Sequence, residues 1–178
     1  MPLNLISEPV LNAIQSRLAD PSIGFNPTLA AFASQLGLPT FVQLNFTPQS
    51  QNFYRAQLDT SLMESSGILT YPFACLYVKE SAQQNIQKFN EFSGQVQVVL
   101  EINLSFTSIR GTQNSEAYCN CVEATVMHVI NTVNAQNWSP LVYNGQARCR
   151  RGPLSFAATN WKQVCGFSFI FEVHNSGF

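Results

Sequence analysis

The sequence predicts an α+β fold, a two-layer arrangement in which helices pack on one face of an antiparallel β-sheet. Three stretches carry this prediction. Apolar and polar side chains alternate through residues 95–106 with Val99 as the one exception, which is typical of a half-buried strand. Residues 164–174 alternate in the same way and place their aromatic side chains on one face. Residues 115–134 carry an apolar stripe at helical spacing, so this segment is expected to lie on the sheet.

Helix signals also mark the N-terminal third of the chain. Ser7 is a favourable N-cap residue, and the apolar positions that follow it share one helical face up to Asp20. Residues 26–37 predict a further helix that stops at Gly37, because glycine readily adopts the backbone conformation that ends a helix. A third helix is predicted through residues 58–63.

The remaining strand signals are shorter. Residues 40–47 alternate and predict a half-buried strand that Pro48 closes. Residues 73–79 and 141–151 also predict strands. Residues 80–94 are polar and rich in Gln and Asn, so they are interpreted as an excursion between strands.

No composition break, linker or internal repeat divides residues 1–178, so a single α+β domain is expected. Its core should form where the helix over 115–134 lies on the sheet. The side chains predicted to be buried together there are Leu100, Ile102, Leu104, Val126, Val129, Phe167 and Phe169.

Charge is scarce in this chain. Nine basic and ten acidic residues give a net charge of −1, and the charged fraction of 11% is less than half of the about 25% found in ordinary soluble domains. Surfaces that are buried against partners contain few charged residues, so this composition favours a subunit of an assembly. No stretch approaches 18 consecutive apolar residues, and the first residues lack a basic and an apolar region. Neither a membrane span nor a secretory signal is therefore predicted.

Few side chains are suited to catalysis. His128 lies one residue from the apolar stripe of its helix and is interpreted as a structural histidine, and His174 has no carboxylate near it in sequence. Cys119 and Cys121 are two positions apart on a helix, so they point in different directions and do not form a metal site. No phosphate-binding or hydrolase motif is present, so the chain is predicted not to be an enzyme and to hold no cofactor or metal. The five cysteines are expected to be reduced.

Three of the nine cations lie within four residues, at Arg148, Arg150 and Arg151. On a strand, Arg148 and Arg150 share a face. One interpretation is a contact with phosphates or with carboxylates of a neighbouring subunit, which guanidinium groups bind bidentately. The other is a solvated strand edge that discourages aggregation. We predict that all three act at an interface, and the net charge of −1 argues against a dedicated nucleic-acid binder.

The order of these elements resembles the tail-terminator proteins of tailed bacteriophages. The resemblance covers roughly residues 70–175 and the first helix, and its most characteristic parts are the long strand at 95–106, the helix at 115–134 and the closing strand pair. Proteins of that family are small α+β subunits that form a hexameric ring on the last ring of the tail tube, stop its polymerisation and offer the surface that joins the head. Residues 22–67 have no counterpart there and are interpreted as an insertion or an arm.

The resemblance implies a homo-oligomeric ring, expected to be a hexamer, whose partners are the tail-tube protein and a head–tail connector or neck protein. It implies assembly in the host cytoplasm, location in the virion and incidental contact with DNA in the channel, where the three arginines would act if not between subunits. The family has no catalytic motif, so no functional residue is carried over. The alternatives are another neck, head-completion or tube subunit, or a small cytosolic binding domain or enzyme.

Overall fold

A computed structural model describes residues 7–39, 43–60, 63, 69–84, 91–106, 115–131, 141–157 and 160–176. The helices within these ranges are α1 (Ser7–Leu18), α2 (Phe25–Gln35) and α3 (Ser115–Asn131). The strands are β1 (Phe53–Tyr54), β2 (Phe73–Gln84), β3 (Glu91–Phe106), β4 (Leu141–Arg151), β5 (Ser155–Ala157) and β6 (Asn160–Ser176). The predicted α+β class is confirmed. Of the helices described, none is long and apolar enough to cross a membrane.

The strands form one six-stranded sheet in the order β1-β2-β3-β6-β4, and β5 pairs with an end of β6. All pairs are antiparallel except β1 with β2. The two central strands, β3 and β6, pair along their whole length, from Glu91 opposite Ser176 to Phe106 opposite Trp161. This long central pair sets the direction of the sheet.

A β-bulge interrupts the pairing of β2 with β3. Val78 lies opposite Val98 and Glu80 lies opposite Gln97, so Lys79 is an extra residue with no partner position of its own. A bulge of this kind redirects the side chains of the bulged strand. It therefore shifts the alternation of β2 by one residue relative to β3.

One face of the sheet packs against α1 and α3, and α2 packs against α3. All seven side chains that were predicted to form the core are buried, so that prediction is confirmed. The apolar face of β6 is fully enclosed at its centre, where Phe167, Phe169 and Phe171 have no exposed surface. Burial of these rings between sheet and helices supplies a large hydrophobic contribution to folding.

The described part of residues 22–67 belongs to this same core. Phe25 and Leu29 of α2 are buried, as are Leu44, Phe46 and Phe53. The ring of Phe46 makes edge contacts with those of Phe25 and Phe53, each with ring centres 5.4 Å apart. The N-terminal segment is therefore integrated with the sheet through a continuous apolar cluster.

Glycines lie just before and just beyond α2. Gly37 has a φ of +63° just beyond its end, and the Leu38 amide donates to the Ala33 carbonyl at 2.9 Å. This confirms the predicted stop at Gly37. At the start of α2, Gly24 is packed so closely that a Cβ there would lie 2.3 Å from the Asp20 carbonyl oxygen.

The prediction of a strand over residues 40–47 is wrong for 43–46, which form no regular structure. Side chains replace the partner strand. The Asn26 amide donates to the Leu44 carbonyl at 2.8 Å and accepts from the Leu44 amide at 3.1 Å, and Gln15 donates to the Phe46 carbonyl at 2.7 Å. The segment keeps alternating burial without a ladder, so its sequence pattern is that of a strand. Residues 40–42 lie outside the described ranges.

The interpretation of residues 80–94 as an excursion is also wrong at both ends. β2 continues to Gln84 and β3 begins at Glu91, with residues as distant as Gln84 and Ser93 paired. Ser81 and Ala82 are exposed, so the start of this polar ribbon lacks the apolar alternation that identifies a half-buried strand. Residues 85–90 lie outside the described ranges, as do residues 61 and 62 of the predicted helix at 58–63. In the described part of that helix, Thr60 and Met63 are helical, and the Met63 amide donates to the Asp59 carbonyl at 3.3 Å, whereas residues 58 and 59 are not helical.

Candidate functional site on the uncovered sheet face

The second face of the sheet, opposite the one that packs against α1 and α3, is less buried than the first. Alternate residues of β3 and β6, among them Val99, Glu101 and Ser168, are half-buried there, whereas their neighbours in sequence are enclosed by the helices. At one end of this face Phe73 and Cys75 are buried, so the uncovered face refers here to the part around Val99, Glu101 and Ser168. A cleft of about 300 Å³ lies on it, across the sheet from α3.

The register of four strands builds the cleft. On the edge strand β4, Arg148 lies opposite Ser168 and Arg150 lies opposite Gly166 of β6. Gly166 in turn lies opposite Glu101 of β3. Because Gly166 has no side chain, only backbone forms the floor between Arg150 and Glu101. The remaining lining residues are Tyr77, Lys79, Gln97, Val99 and Phe167.

Hydrogen bonds fix the wall that faces the arginines. The Tyr77 hydroxyl donates to Glu101 Oε1 at 2.9 Å, and Gln97 Nε2 donates to Ser168 Oγ at 2.7 Å. Burial raises the pKa of Tyr77 above its ordinary value, and the hydrogen bond to the Glu101 carboxylate raises it further. Tyr77 therefore stays protonated and holds the carboxylate in place.

The opposite wall carries positive charge that nothing in the described chain neutralises. Arg148 and Arg150 are exposed there, and a third cation, Lys79, lines the other side of the cleft from the bulge of β2. None of these three cations forms an ion pair or hydrogen bond with another described residue. The arrangement can bind an anionic group, and the interface role expected of Arg148, Arg150 and Arg151 stays a prediction.

Arg151 is separated from the other two arginines because it is on the opposite face of β4. It donates to the carboxylates of Glu116 and Glu123 and, at 2.6 Å, to Asn120 Oδ1, all on one face of α3. The hydrogen bond with Glu123 raises the pKa of Arg151, and both carboxylates add to this effect. The charge of Arg151 is thus matched within the chain, and this residue joins β4 to α3.

Replacing Arg151 with Gln should lower the free energy of unfolding by about 1–2 kcal/mol, because it removes a charge bonded to three side chains at a partly exposed site. Urea unfolding followed by circular dichroism measures this loss, which should shrink at high salt. Arg150→Gln is the matched control, since that neighbour has no described partner, and it should change stability by less than about 0.5 kcal/mol. Equal effects of the two substitutions would contradict the assignment.

The side chains of Cys119 and Cys121 point in different directions, as predicted. The thiols of Cys119 and Cys165 are hydrogen-bonded to each other, whereas Cys121 Sγ lies 3.8 Å from the Leu29 carbonyl oxygen of α2. The bond lowers the pKa of Cys119 and raises that of Cys165. Burial raises the pKa of Cys149 to about 11. All five cysteines are free thiols.

The described residues do not assemble a metal centre. They contain no group of three or more His, Cys, Asp or Glu side chains that could hold a metal ion. The His128 ring is exposed and makes an edge contact with the Phe32 ring, with ring centres 5.7 Å apart. The side chain of His174 lies outside what the structure describes.

Sequence reasoning identified the arginines but not the rest of the cleft. Glu101 could be placed on the polar face of its strand by alternation, yet Gly166 and Tyr77 gave no signal, because strand register joins them. A scan against protein-family models matches none, and no curated protein matches the sequence.

Proposed function

We propose that this chain is a structural subunit of a bacteriophage tail, a tail terminator that forms a ring on the end of the tail tube, stops its polymerisation and provides the head-joining surface. The observation that carries the proposal is a long-stranded sheet whose face around Val99, Glu101 and Ser168 is only half-buried by the described residues, in a chain of which only 11% is charged. A free monomer normally covers such a face or charges it heavily. A subunit that meets neighbours needs neither.

The edges of the sheet support the same proposal. β4 pairs only with β6, and β1 covers β2 only at Ala74 and Cys75. In the described chain, the outer edges of β4 and of the rest of β2 thus have no partner strand. Unpaired edges promote contact with other chains. Two different edges on opposite sides suit a heterologous interface, which closes into a ring by rotation.

The proposed ring has the tail tube on one side and a connector or neck protein on the other. It assembles in the host cytoplasm and remains in the virion, where DNA passes through its channel. The cations on the uncovered face would contact carboxylates of neighbouring proteins, because a net charge of −1 does not favour nucleic acid as the main partner.

Phage particles assembled without this chain should carry tails of uncontrolled length that fail to join heads, because nothing stops the tube or bridges it to the neck. Electron microscopy of particles made with and without the chain measures tail length and joining, and supplying the intact chain in trans should restore both. Tails of normal length, joined to heads in its absence, would refute the proposal.

A small binding domain is the second candidate, and the cleft on the uncovered face is the observation that favours it. The mass in solution separates the two functions. A hexameric ring has a mass of about 119 kDa, six times the chain mass of 19.8 kDa. A binding domain would stay a monomer or dimer even when tail tubes are added, whereas a terminator would form a ring alone or on the tube.

A further inference from the structure

We infer that the cleft on the uncovered face binds an extended acidic segment of a partner protein, whose carboxylates two residues apart engage Arg148 and Arg150. The inference deepens the proposed function, on which it rests only for the partner being another virion protein. It names the chemistry by which that partner is recognised.

The spacing of the two arginines matches such a segment. Arg148 and Arg150 are two residues apart on one face of β4, so their Cα atoms are roughly 7 Å apart. Acidic residues at i and i+2 of an extended chain have the same spacing and also share a side. A segment lying along β6, above Gly166 and Ser168, would place each carboxylate beside one guanidinium group. Arginine binds carboxylates bidentately, which fixes their position as well as attracting them.

The wall across from the arginines selects the residue between the two acids. In an extended segment, the side chain at i+1 points to the opposite side, which here is the side of Glu101. The Tyr77 hydroxyl occupies one oxygen of that carboxylate at 2.9 Å, and the described structure shows no hydrogen bond to the other. A basic or amide side chain at i+1 would donate to Glu101. The preferred pattern is therefore acidic, donor, acidic.

A protein segment fits this cleft better than a nucleic acid does. A phosphodiester chain carries a negative charge at every phosphate and would bring some of these charges against Glu101. An extended peptide can instead carry acidic side chains on one side and a hydrogen-bond donor on the other. The cleft volume of about 300 Å³ is at the lower limit for ligand pockets, which suits a few side chains. Lys79 adds a third cation beside the carboxylate wall, at the position that the bulge gives it.

Two capped peptides of identical composition test the inference on the purified chain. One is acetyl-Gly-Glu-Lys-Glu-Gly-amide, and the other, acetyl-Gly-Glu-Glu-Lys-Gly-amide, places its acidic side chains on opposite sides. Calorimetry or an NMR titration near 0.1 M salt, where the Debye length is about 10 Å, should give roughly tenfold tighter binding of the first peptide. Arg148→Gln and Arg150→Gln should each weaken that binding roughly tenfold.

Lys162→Gln is the matched control, because it removes one positive charge from β6 outside the cleft. Lys162 Nζ lies 4.8 Å above the Tyr71 ring. It should leave the peptide affinity unchanged. Glu101→Gln keeps an acceptor for Tyr77 and should reduce the difference between the two peptides. Thermal unfolding of each variant verifies that it is folded.

Equal affinity for the two peptides, no binding of either, or unchanged binding by both arginine variants would overturn the inference. A thymidine oligonucleotide that binds the wild-type chain more tightly than the first peptide, and loses affinity in Arg148→Gln, would identify nucleic acid as the occupant and overturn it as well. Because these measurements need only the purified chain, peptide binding and tail capping can fail independently of each other.

Discussion

Truncating Phe169 to Ala should lower the free energy of unfolding by about 3–5 kcal/mol, the cost expected when a large buried ring leaves a cavity. Phe169 lies in the middle of β6, paired with Val98 on one side and Ala147 on the other, and its side chain has no exposed surface. The neighbouring strands and α3 enclose the site, so it cannot collapse readily. Denaturant unfolding followed by circular dichroism measures the loss.

Phe156→Ala is the matched control for this experiment. Phe156 is 60% exposed, although its ring contacts that of Trp161 with ring centres 5.3 Å apart. The same chemical truncation should cost less than about 1 kcal/mol there, since little apolar area leaves contact with the protein. Similar losses from both substitutions would show that the face of β6 assigned to the core is wrong.

Gly24→Ala should destabilise the protein by about 3 kcal/mol, near the upper end of the usual cost of over-packing. An added Cβ would lie 2.3 Å from the Asp20 carbonyl oxygen, 2.7 Å from the Asp20 nitrogen and 2.8 Å from the Arg17 carbonyl oxygen. These are backbone atoms of the turn that joins α1 to α2, so no flexible side chain can move aside. The melting temperature and the denaturant midpoint should both fall.

Gly37→Ala separates this steric effect from the general effect of replacing a glycine. Gly37 has a φ of +63°, but a Cβ there would have no atom within 4 Å. Its substitution should cost only the conformational strain of about 1 kcal/mol. A loss at Gly37 equal to that at Gly24 would mean that close packing of the α1–α2 turn is not the cause.

The elements that the sequence predicted best are those with one buried face and one solvated face. β3, β6 and α3 bury a single stripe each, so hydrophobic periodicity identifies them directly, and Phe167 and Phe169 were placed in the core from alternation alone. The α+β class follows from these three elements, because they are the ones that form the interface between the two layers.

Periodicity failed where burial and backbone pairing are not coupled. Residues 43–46 alternate in burial, but the amides of Asn26 and Gln15 bond their backbone in place of a strand. The ribbon around Ala82 and Gln95 has the reverse property, since its strands are paired without an apolar stripe near Ala82. Sequence patterns report burial, whereas hydrogen-bond partners are decided by tertiary structure.

The candidate site was predictable only on the strand that carries the arginines. Alternation placed Arg148 and Arg150 on one face, and the same rule assigns Arg151 to the other face, where α3 supplies its carboxylates. The wall at Glu101 depends on the register of three strands. Because alternation within one strand does not reveal which residues of the neighbouring strands lie opposite, this wall could be identified only from the structure.

The bulge at Lys79 has a consequence for how β2 can tolerate changes in length. Loss of a single residue elsewhere in the strand would turn every side chain beyond the deletion onto the opposite face. Loss of Lys79 would instead leave Val78 opposite Val98 and Glu80 opposite Gln97, with regular pairing on both sides. A single-residue deletion in β2 should therefore be accepted at this position during evolution. A homologous protein that lacked this residue would keep the pairing of β2 with β3 and would lose one cation of the cleft.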